Sequence, residues 1–185
     1  FGGLSTDLFG LQLCATLDAS HVDYSLAPRS ERPTTLAFVT LVDGHAKYAF
    51  YDENTAGRML SEGDLPVLDD DVSALFFGGI SLVSEPAADT YAAFCAREAG
   101  SRVVMIDPNI RPGFITHEPR YRARLSDMLA MADIVKVSDE DMDWLGTDPG
   151  IPLEEVRPIP GIAMPEGGYL VPSDAPGFGM DIKEE

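Results

Sequence analysis

Apolar and polar positions fall into blocks along this chain, and the blocks predict its elements. Three short apolar runs stand out. Residues 74–77 lead into Gly78, Gly79 and Ser81; residues 102–106 lead into Asp107, Asn109 and Arg111; residues 133–137 lead into Ser138 and Asp141. Continuous β-branched or aromatic runs of this length predict strands buried on both faces. Two segments of helical length separate them, which gives a β-α-β-α-β order, a parallel sheet and an α/β class. In such sheets ligands bind beyond the carboxyl ends of the strands. That rule places Gly78, Asp107, Asn109, Arg111 and Ser138 on one edge.

Upstream, Ser5 is in position to cap a helix reaching about Leu17, with Leu8, Leu11 and Ala15 on one stripe and Phe9 and Leu13 beside it. Gly10 interrupts this helix at about 1 kcal/mol against Ala unless close packing requires it, and Asp7 complements the helix dipole. Residues 22–25 read as an extended link. Residues 34–42 are β-rich, Asp43-Gly44 is a turn pair, and residues 46–51 return, which predicts a hairpin. Leu36, Phe38 and Val42 share one face; Ala37, Val39 and Leu41 share the other. With both faces apolar, either one covers a ligand cleft while the other meets a partner subunit, or the hairpin is sandwiched inside its own chain. The pattern fits both equally. The polar run 52–58 is a solvated loop or a ligand edge. Helices are expected over 87–99, carrying Tyr91, Phe94 and Cys95 and stopped by Gly100, and after Pro119, carrying Tyr121, Leu125, Met128, Leu129 and Ala132. A last helix opens at Asp139 with three acids, which suit the positive helix end or place one of them on a metal.

Composition narrows the function classes. A formal net charge of −18 argues against nucleic-acid binding, since no basic field attracts phosphate backbones. Cys14 and Cys95 sit among apolar residues and read as buried free thiols. Neither an apolar stretch of membrane length nor a signal sequence is visible, so the expectation is a cytoplasmic protein. Phe1-Gly-Gly-Leu reads as the end of a strand already under way, and upstream residues are expected to be missing. Residues 151–185 hold 6 of the 14 prolines and 5 of the 17 glycines, with no amphipathic period; an extended or partly disordered tail is expected.

For chemistry, neither a P-loop nor a GxGxxG occurs. What remains is Asp107-x-Asn109-x-Arg111, whose alternate residues would face one side of an extended segment. Asp and Asn can bond sugar hydroxyls, and Arg offers a planar fork to phosphate. The other reading is a structural turn in which Arg111 pairs with Asp107. Six stretches then carry a resemblance: Gly3-Leu-Ser-Thr-Asp-Leu-Phe-Gly10, Arg32-Pro-Thr-Thr-Leu-Ala-Phe38, Phe50-Tyr-Asp-Glu-Asn-Thr-Ala56, Phe77-Gly-Gly-Ile-Ser81, Asp107-Pro-Asn-Ile-Arg111 and residues 132–141. Together and in this order they resemble the PfkB (ribokinase-like) sugar kinases, fructokinase-type, over residues 1–148.

That resemblance implies a partly parallel ribokinase-like sheet with flanking helices and a β-hairpin lid at about 34–58, incomplete at both ends. It implies ATP and Mg²⁺, phosphoryl transfer to a sugar hydroxyl, and homodimers formed through the lid. Phe50, Asp52, Gly79 and Asn109 would meet the sugar, and Arg111 would neutralise charge on the transferring phosphoryl group. Lys136 and Ser138 would serve the nucleotide. Asp141 would serve the metal through water, because the family's Asn-x-x-Glu falls on the shorter Ser138 and Asp141. The acid at Asp52, where relatives acting on acidic keto-deoxy sugars carry an Arg nearby, favours a neutral sugar such as fructose. Two family elements are expected outside what is present: a Gly-Gly-Asn motif before Phe1 and a Gly-Ala-Gly-Asp segment after residue 148. Residues 166–182 instead resemble the C-terminal tail of mandelate-racemase-type enolase-superfamily dehydratases. Three functions follow, in descending order of support: a truncated sugar kinase, whose parent enzyme phosphorylates the sugar while this stretch is expected to lack the catalytic base; a non-catalytic sugar- or nucleotide-binding and oligomerising fragment; and an enolase-superfamily dehydratase. Three strands cannot close the barrel that the last requires.

Overall fold

Three parallel strands form one sheet within the first 145 residues. In the computed structural model, which describes residues 1–42, 45–146, 165–166 and 169–170, they are β5 (Ala74–Gly78), β6 (Val103–Asp107) and β7 (Ile134–Val135), in that spatial order. Gly78 pairs with Asp107, so the polar ends of β5 and β6 lie side by side. Helix α2 (Ala87–Glu98) crosses from β5 to β6, and α3 (Glu118–Leu129) from β6 to β7. A short α4 (Asp139–Leu145) follows β7. The chain divides into two units, Phe1–Leu145 and Gly146–Glu185.

Among the described residues, these strands are buried on one face only. Phe77, Val104 and Ile106 are in the core, where Phe77 meets Phe94 of α2 edge-on at 6.2 Å. On the opposite face Phe76 is 64% exposed and Val103 45%. The expectation of two buried faces fails because the continuous apolar runs carry hydrophobic side chains of both parities. Parity cannot say which face the described helices cover. In α2, Phe94 and Cys95 are buried, and in α3 Tyr121, Leu125 and Met128, as their helical spacing predicts. Both cysteines are buried and free.

The N-terminal helix departs from expectation in two ways. Helix α1 (Leu8–Ala19) is capped by Asp7, whose carboxylate accepts from the Gly10 amide at 2.8 Å. Ser5 instead lies in β1 (Leu4–Ser5) and pairs in parallel with β2 (Arg29–Ser30), two strands too short to register as apolar runs. The inward positions of α1 are Gly10 and Cys14, while Leu8, Phe9, Leu11 and Leu13 are exposed. Close packing explains the glycine: a Cβ at Gly10 would sit 2.2 Å from the Ser5 carbonyl oxygen.

The hairpin forms as predicted, β3 (Leu36–Val42) against β4 (His45–Tyr51), with Leu36 opposite Tyr51 and Val42 opposite His45. Its turn pair, Asp43-Gly44, lies outside the described residues. Phe38, Val39 and Leu41 are all exposed, Leu41 at 76%, so the hairpin is not sandwiched inside the described chain. In the second unit, β8 (Pro165–Glu166) pairs antiparallel with β9 (Tyr169–Leu170). The expectations of an extended tail and of a dehydratase-like segment at 166–182 otherwise fall outside the described residues.

Candidate active site

The root of the hairpin is a dense polar junction. Asp52 follows directly on β4, and the hydroxyls of Thr35 and Thr55 lie 2.7 and 2.9 Å from its Oδ1. Thr55 and Ala56 are buried. Residues 52–58 are therefore not a plain solvated loop: Asp52 and Thr55 satisfy each other and tie back to Thr35, while Glu53 and Asn54 stay exposed. Asp7 fastens the other side of this root. Its carboxylate accepts from the Thr34 hydroxyl at 2.6 Å and the Thr34 amide at 2.8 Å. The Thr34 hydroxyl, then the Gly10 and Thr34 amides, hold its pKa down from 3.8 to about 2, since each favours the ionised form.

From this root Arg58 reaches across, donating through Nε to the Glu85 carbonyl at 2.9 Å, while its own carbonyl accepts from the Ala87 amide. On the far side Arg124 of α3 is buried and donates through Nη1 to Glu85 Oε1 at 3.0 Å and Asp89 Oδ1 at 2.8 Å. It also donates through Nη2 to the Leu82 carbonyl at 3.2 Å. The segment after β5 is thus held from both sides. Between it and the hairpin lies a cleft of about 810 Å³, lined among others by Leu36, Phe50, Asp52, Arg58, Ile80 and Phe114. Its size suits a small ligand. Two of its lining rings, Phe50 and Phe114, pack edge-on at 4.8 Å. The walls carry Asp52, Glu53 and Glu85 against Arg58.

The sheet edge carries the remaining candidates. Gly79 takes a φ of +67°, with nothing within 4 Å of where a Cβ would stand, and its neighbour Ile80 enters the cleft. Asn109 also adopts a left-handed φ, +41°, so the chain leaves extended geometry there. The expectation that Asp107, Asn109 and Arg111 line one extended face is corrected accordingly. The alternative pairing of Arg111 with Asp107 does not form either. Asp107 Oδ2 pairs with Lys136 Nζ at 2.7 Å, and its Oδ1 is buried with no hydrogen-bond partner among the described residues. Arg111 is exposed and donates through Nη1 to the Ile110 carbonyl at 2.8 Å. Two exposed cations, Arg111 and Lys136, therefore stand beyond the strand ends in an otherwise acidic chain, a donor set that fits a polyphosphate.

A metal fits less well. Asp141 is 2% exposed, and its Oδ1 accepts from the Ile110 amide at 2.6 Å while Oδ2 accepts from the Ser138 amide at 3.1 Å. Ser138 Oγ in turn accepts from the Asp141 amide at 3.1 Å. No group of three His, Cys, Asp or Glu residues among those described is placed to hold an ion. These residues do not fit a Mg²⁺ bound directly at Asp141, because the carboxylate is committed to backbone donors and shielded from water.

The structure thus places Phe50 and Asp52 in the cleft wall and Gly79 next to it. Asn109, Arg111, Lys136, Ser138 and Asp141 lie around the strand ends, outside the lining of the cleft. Sequence reasoning missed two residues. Asp7 carried a usable signal, an N-cap residue directly before an apolar run. Arg58 carried none, since its role depends on a carbonyl 27 residues away.

Residues 1–158 match the family model described as pfkB family carbohydrate kinase. The chain is 56% identical over 146 residues to the fructokinase of Rhizobium leguminosarum bv. trifolii, covering 79% of this chain and 45% of that protein. It is 34% identical over 149 residues to fructokinase-1 of Oryza sativa subsp. japonica, covering 78% of this chain and 46% of that protein. The chain therefore spans about half the length of the curated relatives it matches. Among solved structures, it is similar to the fructokinase of Xylella fastidiosa with bound ATP, at a TM-score of 0.71 and 26% identity over 79% of this chain and 46% of that one. It is also similar to the fructokinase of Vibrio cholerae O395 in a form with fructose, ADP and calcium ion bound. There the TM-score is 0.69 and the identity 25%, over 82% of this chain and 50% of that one.

Proposed function

The chain belongs to the pfkB family of carbohydrate kinases, and from that premise we propose that it forms the sugar-binding portion of an ATP-dependent kinase for fructose or a similar neutral sugar. The observation that carries the proposal is the cleft between hairpin root and sheet edge, walled by Phe50 and Asp52, in a chain 56% identical to a fructokinase. Three carboxylates against one arginine in that wall disfavour an anionic sugar by like-charge repulsion and suit hydroxyl donors.

In this reading Phe50, Asp52 and Gly79 contact the sugar, and Asn109 offers it an amide at the strand ends. Arg111 stabilises the charge that spreads over the transferring phosphoryl oxygens. Lys136 and Ser138 serve the nucleotide side. ATP supplies the phosphoryl group, and Mg²⁺ enters as its complex rather than through direct bonds to Asp141. The exposed Val39 and Leu41 make the hairpin the contact surface of a homodimer. No described helix is long and apolar enough to cross a membrane, and a cytoplasmic location belongs to the same proposal.

The test is coupled ADP release from the protein that carries this sequence. Fructose-dependent release is expected, and Arg111→Ala is expected to lose it by roughly 100-fold or more with an unchanged circular dichroism spectrum. Fructose binding without ADP release supports the second reading, a sugar-binding module without turnover. Equal ADP release by the Arg111→Ala variant would remove Arg111 from the site.

A further inference from the structure

Asp141 is the one acidic residue among those described that is nearly inaccessible and yet lies beside the candidate phosphate-handling residues. Its surroundings show what it holds. Oδ1 takes the Ile110 amide at 2.6 Å, a short charge-assisted bond, and Ile110 itself is buried between two exposed neighbours, Asn109 and Arg111. The bond joins α4 to the turn after β6 across 31 residues of sequence. At that turn Asn109 adopts a φ of +41°, a conformation uncommon for residues with a Cβ and tolerated better by Asn than by most. Oδ2 takes the Ser138 amide, and Ser138 Oγ takes the Asp141 amide, so the first turn of α4 is locked reciprocally. The carboxylate is thus tied at both ends, one to its own helix and one to the turn.

We propose that Asp141 is a positioning residue: it fixes the left-handed turn that presents Asn109 and Arg111, and does not ligate a metal. The importance of this turn for chemistry rests on the sugar-kinase reading, but the tie itself does not. The same geometry accounts for the departure from Asn-x-x-Glu. A carboxylate one methylene shorter than Glu, close to the backbone of α4, reaches the Ile110 amide at a full hydrogen bond.

Hydrogen exchange followed by mass spectrometry, peptide by peptide, tests the tie. In the unsubstituted chain with a chelator present, the peptide covering residues 107–114 is expected to be protected at Ile110, and added Mg²⁺ is expected not to change that protection. Asp141→Asn, which removes the charge and one acceptor, is expected to speed exchange at Ile110 by about tenfold or more. Peptides of α2 should stay as they were, which separates the effect from general loosening. Ser138→Ala, which spares the bond to Ile110, is expected to leave Ile110 protected. Protection that appears only with Mg²⁺ would overturn the proposal in favour of a metal role, and it needs no variant to fold. Unchanged exchange at Ile110 in Asp141→Asn would overturn it as well. The sugar-kinase reading fails separately, through absence of any fructose effect on ADP release.

Discussion

Asp7 shows how one carboxylate serves two elements. It caps α1 and bonds both polar groups of Thr34, where β3 is about to begin. Its pKa falls from 3.8 to about 2, so the folded state prefers it ionised. The stabilisation is fully present above about pH 4 and fades as pH falls toward 2. Asp7→Asn is therefore expected to flatten the loss of urea midpoint between those pH values, measured by circular dichroism. A variant curve as steep as the parent's would assign the acid sensitivity to other groups. The sequence offered two capping candidates, Ser5 and Asp7, and the expectation fell on Ser5, although the acid stands directly before the apolar run. The bonds to Thr34 were not legible, because nothing in local sequence reports on a residue 27 positions away. The same limit hid Arg58, and it hid the Lys136 that follows β7 and pairs with Asp107 where Arg111 was the alternative partner.

At the scale of elements, α3 and the hairpin make distinct predictions. Arg124 is buried under α3 with Glu85 and Asp89 as partly exposed partners. Removing it takes a donor from the Leu82 carbonyl and leaves Glu85 and Asp89 to Arg120 of the same helix, which pairs with them at 3.0 and 2.5 Å. Arg124→Met is expected to cost about 1–2 kcal/mol in urea unfolding, less than a fully buried pair because water reaches both acids. No loss of stability would mean that the segment after β5 is held by Arg58 and Arg120 alone. For the hairpin, Leu41 is so exposed that charge there carries little folding cost. Leu41→Lys is expected to shift sedimentation from dimer to monomer with an unchanged circular dichroism spectrum at 25 °C. A parent chain that sediments as a monomer at every concentration would contradict the dimer. The hairpin itself was readable from its β-rich arms. Which of its faces meets solvent was not, since both carry apolar residues.

At the scale of the whole molecule, a parallel three-stranded sheet and its crossover helices were legible from short, mostly apolar runs and helical spacing. The exposure of one face of that sheet was not, because Phe76 and Val103 are as apolar as their buried neighbours. The site was legible as a set of polar strand ends and only partly as a geometry. Phe50 and Asp52 do wall a cleft, whereas the turn at Asn109 sends the following residues out of line with Asp107. The central claim is that this cleft takes a neutral sugar against carboxylate walls. Isothermal titration of the protein carrying this sequence with D-fructose and, separately, with D-gluconate tests it most directly. Saturable heat with fructose, absent with gluconate and weakened in Asp52→Ala, is the predicted result. Equal or tighter binding of gluconate, or fructose binding indifferent to Asp52→Ala, would contradict it.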